Sequence, residues 1–188
     1  RAPLGVFSVT GNHDYGDYHY GPEPSAAKAK NLQDIKDTHK VMGWDLLLNE
    51  HRQIPVKETA INVIGVENYS AHPRFPKYGD LQKATAGMNG SGFNILLSHD
   101  PSHWDDQVVK MFKDINLTLS GHTHGFQFGV EIPGVFKWSP IQFVYKHWAG
   151  LYESESQYLY VNRGLGYLGY PGRVGILPEI TLLTLEVA

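Results

Sequence analysis

The chain has 188 residues, 41% of them hydrophobic and 19% charged, with a formal net charge of −3. That length and composition suit one globular domain with a sizeable core and exclude a disordered polymer. The charge balance gives no basic face of the kind nucleic-acid binding rests on. No cysteine is present, so disulfides and thiolate metal sites are excluded and any metal must be held by nitrogen and oxygen.

In chain order, residues 4–10 (LGVFSVT) predict a buried strand that runs into Gly11-Asn12-His13-Asp14. After a loop over 15–25, residues 25–42 predict a helix. Ser25 is its cap, Leu32, Ile35, His39 and Met42 recur at three- and four-residue steps, and Gly43 is its stop. Strand-like runs follow at 45–49, 53–57 and 60–66. A short helix is expected near 79–87, then a turn at Gly90-Ser91-Gly92. Residues 93–98 (FNILLS) predict a second strand ending in a motif, here His99-Asp100, and a helix over 102–112 carries Trp104, Val108, Val109 and Phe112. Residues 115–120 (INLTLS) lead into Gly121-His122-Thr123-His124. Beyond it the chain is rich in aromatics and glycine, with strands expected at 157–162 and 180–187. Strands alternating with helices point to an α/β layer architecture. No stretch is long and apolar enough to span a bilayer, and no signal-peptide pattern is visible.

Three apolar runs therefore end at side chains able to bind metal. Ligands at the carboxyl ends of adjacent strands converge where α/β sheets hold their sites. Asn12, His99, His122 and His124 form the expected ligand set, with His13 as a spare imidazole. Neutral imidazoles suit Zn, Mn, Fe, Co and Ni, and an amide oxygen is a harder ligand. A nitrogen and oxygen set without thiolate fits hydrolysis better than a structural site. Two ions would clamp a phosphoryl group, with His13 facing the leaving oxygen as proton donor or charge stabiliser. Asp14 and Asp100 are placed either to orient an imidazole or merely to cap their loops. The remaining histidines (His19, His39, His51, His72, His103 and His147) sit in polar or helical contexts where solvated or internally bonded rings are expected.

Gly11-Asn12-His13-Asp14, His99 and Gly121-His122-Thr123-His124 resemble the last three motifs of the calcineurin-like metallophosphoesterases. Ala149-Gly150-Leu151-Tyr152, Arg163-Gly164-Leu165-Gly166, Tyr170-Pro171-Gly172-Arg173 and Pro178-Glu179-Ile180 resemble the tail of the bacterial YkuE/YaeI-like branch. The resemblance implies the carboxyl-terminal part of a four-layer αββα sandwich, with residues 1–188 as one portion of a single domain. It implies hydrolysis of a phosphodiester or pyrophosphate by a hydroxide held between two divalent ions (Mn, Fe, Zn, Co or Ni). Asn12, His99 and His122 would bind one ion, His124 the other, and His13 would serve the leaving group. It also implies a phosphoester substrate, with lipid-linked and nucleotide-sugar molecules among the classes, and a membrane-associated bacterial setting.

The chain departs from the family pattern in two places. The Asp-x-His and Gly-Asp-x-x-Asp motifs that the family carries upstream of the Asn, and that supply the bridging carboxylate, do not precede Asn12 here, and Asp14 and Asp17 come too late to replace them. The chain therefore reads as a fragment that is inactive alone, binds at most one ion weakly, pairs with its missing N-terminal segment, and otherwise self-associates. Phe126 follows Gly125 where the branch often has a second glycine. Arg163 is expected to be structural, with a place near the site as the lesser reading, Arg173 to pair with Glu179, and Trp138, Tyr145, Trp148, Tyr152, Tyr158 and Tyr160 to serve as core and sheet surface, with a substrate pocket the lesser reading. The competing classes are a metal-binding or interaction module without activity, and a purine-like or protein phosphatase of the same superfamily.

Overall fold

The computed structural model describes residues 2–89 and 91–186. Its centre is a six-stranded mixed sheet. Strands β3 (Glu50–Val56) and β4 (Thr59–Gly65) form an antiparallel hairpin, turned at Lys57 with φ 52°. β4 then pairs in parallel with β5 (Phe93–Leu97), and β5 with β6 (Leu117–Ser120). β10 (Gln157–Val161) joins β6 in parallel, and β9 (Gly150–Ser154) closes the edge antiparallel to β10. Because β5 and β6 are parallel neighbours, His99 and Gly121-His122 leave the sheet at the same end. The Gly121 N–H donates to the His99 carbonyl at 2.9 Å and ties the two exits together.

The core lies on one face of this sheet. Ile64, Val66, Leu96, Leu159 and Val161 pack against Leu81, Ala84, Trp104, Val108 and Ile115, all nearly inaccessible to water. Helix α3 (Leu81–Thr85), capped by the Asp80 carboxylate accepting from Lys83 N, supplies two of these residues. The helix expected over 102–112 forms with a π-helical turn at Trp104–Val108 that runs into Val109–Met111. The wider turn buries Trp104 and Val108 together on the sheet. π turns recur where a protein needs a helix locally re-aimed, often near a functional site.

The N-terminal part is thinner than its sequence predicts. The strand over 4–10 is paired only at β1 (Phe7–Ser8), and the run 45–49 only at β2 (Asp45–Leu46), its parallel partner. The long helix α2 (Ala26–Met42), which follows the single turn α1 (Asp17–Tyr20), has the expected ends: the Ser25 hydroxyl accepts from Lys28 N at 3.2 Å, and Gly43, at φ 70°, donates to the His39 and Lys40 carbonyls. None of its residues is buried, however, and its face of Leu32, Ile35 and His39 is half covered while Met42 is exposed.

Three further corrections concern the second half. Residues 180–186 form no strand, and the remainder of that expected strand lies outside the described residues, as does Gly90 of the expected turn. The small hairpin of β7 (Val130–Ile132) and β8 (Phe136–Trp138) and the edge strand β9 were not anticipated. Arg173 does not pair with Glu179. Arg163 does, through Nε at 2.7 Å, and also bonds Glu131, whereas Arg173 donates to the carbonyls of Arg163, Gly164 and Gly166 at 2.7–3.1 Å. A planar guanidinium with five donors can clasp several carbonyls at once, and here that replaces a salt bridge.

Candidate metal centre

Asn12, His99 and His122 meet at one end of the sheet. His99 Nε2 lies 3.0 Å from Asn12 Oδ1, His122 Nδ1 lies 3.1 Å from the same oxygen, and the two ring nitrogens are 3.1 Å apart. The loop after β1 brings Asn12, and its N-terminal glycine is required by contact: a Cβ on Gly11 would sit 2.8 Å from three atoms of the His99 ring. Asn12 Nδ2 donates to the Tyr18 hydroxyl at 3.0 Å, which leaves Oδ1 for the histidines. The Asp14 carboxylate accepts from Gly11 N at 2.7 Å and the Asp14 carbonyl accepts from Asn31 Nδ2 at 2.8 Å, so this aspartate closes the loop and ties it to α2.

The second loop holds its histidines under backbone strain. His122, His124, Gly125, Phe126 and Gln127 all have φ between 52° and 66°. For side chains other than glycine this left-handed region is costly, and such outliers cluster at functional sites. Phe126 stands at one of these positions, where glycine would be at ease. Thr123 anchors the turn by donating to the Trp148 carbonyl at 2.7 Å, and the buried Gln127 amide spans to the Tyr170 and Gly172 carbonyls.

His122 Nε2 is 2.7 Å from the Tyr145 hydroxyl, which lies 3.3 Å from Asp100 Oδ2, itself 3.6 Å from His122 Nε2. Asp100 is thus the carboxylate beside an imidazole. Burial, and then the neighbouring His122, push His99 down to about 3. Burial also lowers His122 and His124, the latter helped by Arg173, and it raises the Tyr145 phenol. The rings are therefore neutral at ordinary pH, the form that binds metal.

A cavity of about 530 Å³ opens over the cluster. His13 and His124 both line it, outside the three-atom convergence. The His13 ring stacks on Tyr18 with centroids 4.3 Å apart, and His124 Nδ1 is buried without a hydrogen-bond partner. His72, Arg74, Phe75, Tyr145, Tyr167 and Leu168 complete the wall. Sequence reasoning put His72 among the bland histidines and Tyr145 among core aromatics. No local signal marks either, since both arrive from loops distant in sequence. Of the aromatics weighed as a pocket, only Tyr145 lines this cavity; Tyr152 and Trp148 pack instead around Lys137.

The donor set fits a cation. Two bonds of ~2.1 Å at a right angle place their donor atoms ~3.0 Å apart, the spacing found here. Without a cation, three lone-pair atoms at that separation repel or compete for one proton. The third corner is an amide oxygen, and among the described residues no three His, Asp or Glu side chains surround one point. Further carboxylates would have to come from outside the described residues.

The sequence model of the calcineurin-like phosphoesterases matches residues 2–126. The chain belongs to that family. Relatives include a zebrafish (Danio rerio) protein named transmembrane protein with metallophosphoesterase domain, 33% identical over 98% of this chain and 39% of its own length. The Bacillus subtilis protein YkuE, named an uncharacterized metallophosphoesterase, is 30% identical over 99% of this chain and 58% of its own length. An uncharacterized metallophosphoesterase of Helicobacter pylori is 34% identical over 98% and 44%. The chain thus spans about two fifths to three fifths of the curated relatives it matches. No solved structure matches it. The family in general uses divalent metals, and the chain's mixed α/β sheet is consistent with the family's fold class. Among the described residues no helix is long and apolar enough to cross a membrane.

Proposed function

We propose that this chain carries the Asn-His-His side of a two-metal phosphoesterase centre, and that the protein it belongs to hydrolyses a phosphodiester or pyrophosphate bond. The observation that carries the reading is the mutual 3.0–3.1 Å approach of Asn12 Oδ1, His99 Nε2 and His122 Nδ1. Those three atoms would hold one ion, and His124, which lines the same cavity and has a buried Nδ1 without a hydrogen-bond partner, would serve the second. When bound, the ions supply Lewis-acid stabilisation of phosphoryl oxygens and a clamp for in-line displacement.

The chain's own groups do the rest. Tyr18 fixes the Asn12 amide by accepting from Nδ2 and supports the His13 ring by stacking. His13, on the cavity wall and free of the convergent triad, holds the proton for the leaving oxygen. Arg74, which lines the same cavity, meets the anionic substrate. Phe75 packs its edge against His122 with centroids 5.0 Å apart and keeps water from that side. Arg163 is taken up by Glu131 and Glu179 and stays structural.

In this reading the chain is the carboxyl-terminal portion of one metallophosphoesterase domain. The Asp-x-His and Gly-Asp-x-x-Asp motifs would stand upstream in the parent protein. Support comes from the family match over 2–126 and the partial coverage of the relatives. Membrane association of the parent rests on the relatives named transmembrane proteins. Lipid-linked and nucleotide-sugar phosphoesters are the substrate classes to try first.

The deciding experiment titrates this chain with Zn²⁺ and Mn²⁺ and assays the parent protein on an aryl phosphodiester, a monoester and a nucleotide-sugar pyrophosphate. One weak ion on the chain and turnover only by the parent are expected. Metal binding with no turnover of any ester by a parent containing the upstream motifs would favour a binding module without catalysis. Preference for the monoester would favour a phosphatase.

A further inference from the structure

We propose that Tyr145 is a positioning residue that sets the tautomer of His122 and so keeps His122 Nδ1 ready to bind an ion; the inference rests on the metal-centre reading above. The phenol sits between an imidazole nitrogen and a carboxylate oxygen. Its oxygen is 2.7 Å from His122 Nε2 and 3.3 Å from Asp100 Oδ2. The O–H carries one proton and can give it to only one of them.

Asp100 decides which. It is fully buried, and its other oxygen already accepts from Ser102 N at 2.8 Å. An ionised carboxylate only accepts, and a buried one left short of a donor loses most. The Tyr145 hydroxyl therefore donates to Asp100. Its oxygen is then free to accept, and the short contact to His122 Nε2 requires a proton on Nε2. A neutral imidazole has one N–H, so Nδ1 keeps its lone pair, directed at Asn12 Oδ1 and His99 Nε2.

The competing arrangement is close at hand. A proton on Nδ1 would find Asn12 Oδ1 at 3.1 Å, would turn Nε2 into an acceptor from Tyr145, and would block the ligand position. Without the Tyr145–Asp100 relay the metal-free ring would favour that state. The position of Tyr145 supports a held, specific role. It packs with Trp148, Ala149 and Ile176 in a small core of its own, and its ring meets His122 nearly edge-on at 5.3 Å. Asp100 thus acts on the imidazole through the phenol, across a direct gap of 3.6 Å.

The test reads the ring itself. Long-range ¹H–¹⁵N spectra of the metal-free protein, with His122 assigned by its loss in His122→Gln, should show a proton on Nε2. In Tyr145→Phe the His122 signal should move to Nδ1–H or to an exchanging mixture, and Zn²⁺ affinity should fall by roughly 10–100-fold. Asp100→Asn keeps the phenol, but its amide can donate to Tyr145, so the hydroxyl turns to His122 Nε2 and the proton should again move to Nδ1. A wild-type ring protonated on Nδ1, or an unchanged tautomer in both variants, overturns the proposal. So does a lowered unfolding temperature with no tautomer change, which is what a purely structural tyrosine would give. The expected tautomer shift in a protein that binds no Zn²⁺ would keep the assignment of Tyr145 and overturn the metal reading.

Discussion

Two histidines four residues apart, His103 fully buried and His99 partly so, have opposite surroundings. His103, in the core beneath the π turn, is complete: Nδ1 meets the Ser98 hydroxyl at 2.8 Å, Nε2 meets the Gln107 amide at 3.0 Å, and the ring stacks on Tyr69. His99, at the strand end, points Nε2 at an amide oxygen and another imidazole nitrogen. Burial lowers both, to about 4 and about 3, so neutrality does not separate them. What separates them is partner chemistry. A ring whose nitrogens each find a complementary partner is architecture. A ring aimed at other lone pairs leaves room for a cation.

The largest expected effect tests the open side of that contrast in the parent protein. His13→Ala should lower turnover by ~10²–10⁴-fold, as for a positioned acid, while metal content stays near wild type. The loss should shrink for a substrate with a good leaving group. Loss of metal matching that of His122→Ala would instead make His13 a ligand.

His122→Ala in this chain should weaken Zn²⁺ binding by at least the ~10–100-fold that even a supporting partner is worth, with little change in unfolding free energy. His103→Ala should do the reverse. It leaves a void and strips Ser98 and Gln107 of a partner, which costs about 1–3 kcal/mol for an unsatisfied buried group, and Zn²⁺ affinity should hold. Calorimetric titration and denaturant unfolding of both variants would break the comparison if the two effects coincided.

Acid titration sharpens it further. Buried His103 takes a proton only near about 4, whereas the unfolded chain takes it up near the ordinary value of 6.5. Between those values the unfolded state binds more protons, so stability should rise with pH across the window and fall as pH drops from about 6.5 to about 4. Above 6.5 both states are neutral there and the dependence vanishes. His103→Gln should flatten the curve; an unaltered slope would mean that other groups carry it.

The smallest effect lies far from both rings. Leu182 is 92% exposed, so Leu182→Ser should change stability by no more than about 0.5 kcal/mol. Val41, Trp44, Leu165 and Ile180 are exposed as well, and apolar surface of this kind favours association. We expect the isolated chain to self-associate in light scattering, with the serine variant slightly less prone. A monodisperse monomer would show that these side chains are harmless singly.

Local chemistry made much of this legible. The Ser25 cap and the Gly43 stop bound α2, because capping and left-handed φ are decided within a few residues. Apolar runs ending at Gly or Ser located β5 and β6, and with them His99 and His122. The stretch beyond residue 126 was poorly legible. It is held by side chains reaching distant backbone: Gln127 to Tyr170 and Gly172, Arg173 to three carbonyls, Arg163 to two glutamates. Such clasps leave no periodicity, so 180–187 read as a strand and Arg173 as a partner of Glu179.

By itself the sequence determined the donor types, nitrogen and oxygen without thiolate, and their placement after strands, since both follow from residue identity and short-range pattern. Only the tertiary structure decided how these donors come together. The parallel register of β5 and β6 sets His99 beside His122, the close approach at Gly11 lets Asn12 reach them, and a loop more than twenty residues downstream delivers Tyr145 to the far side of the ring. Those contacts join residues 23 to 110 positions apart, and no local pattern encodes a meeting at that range.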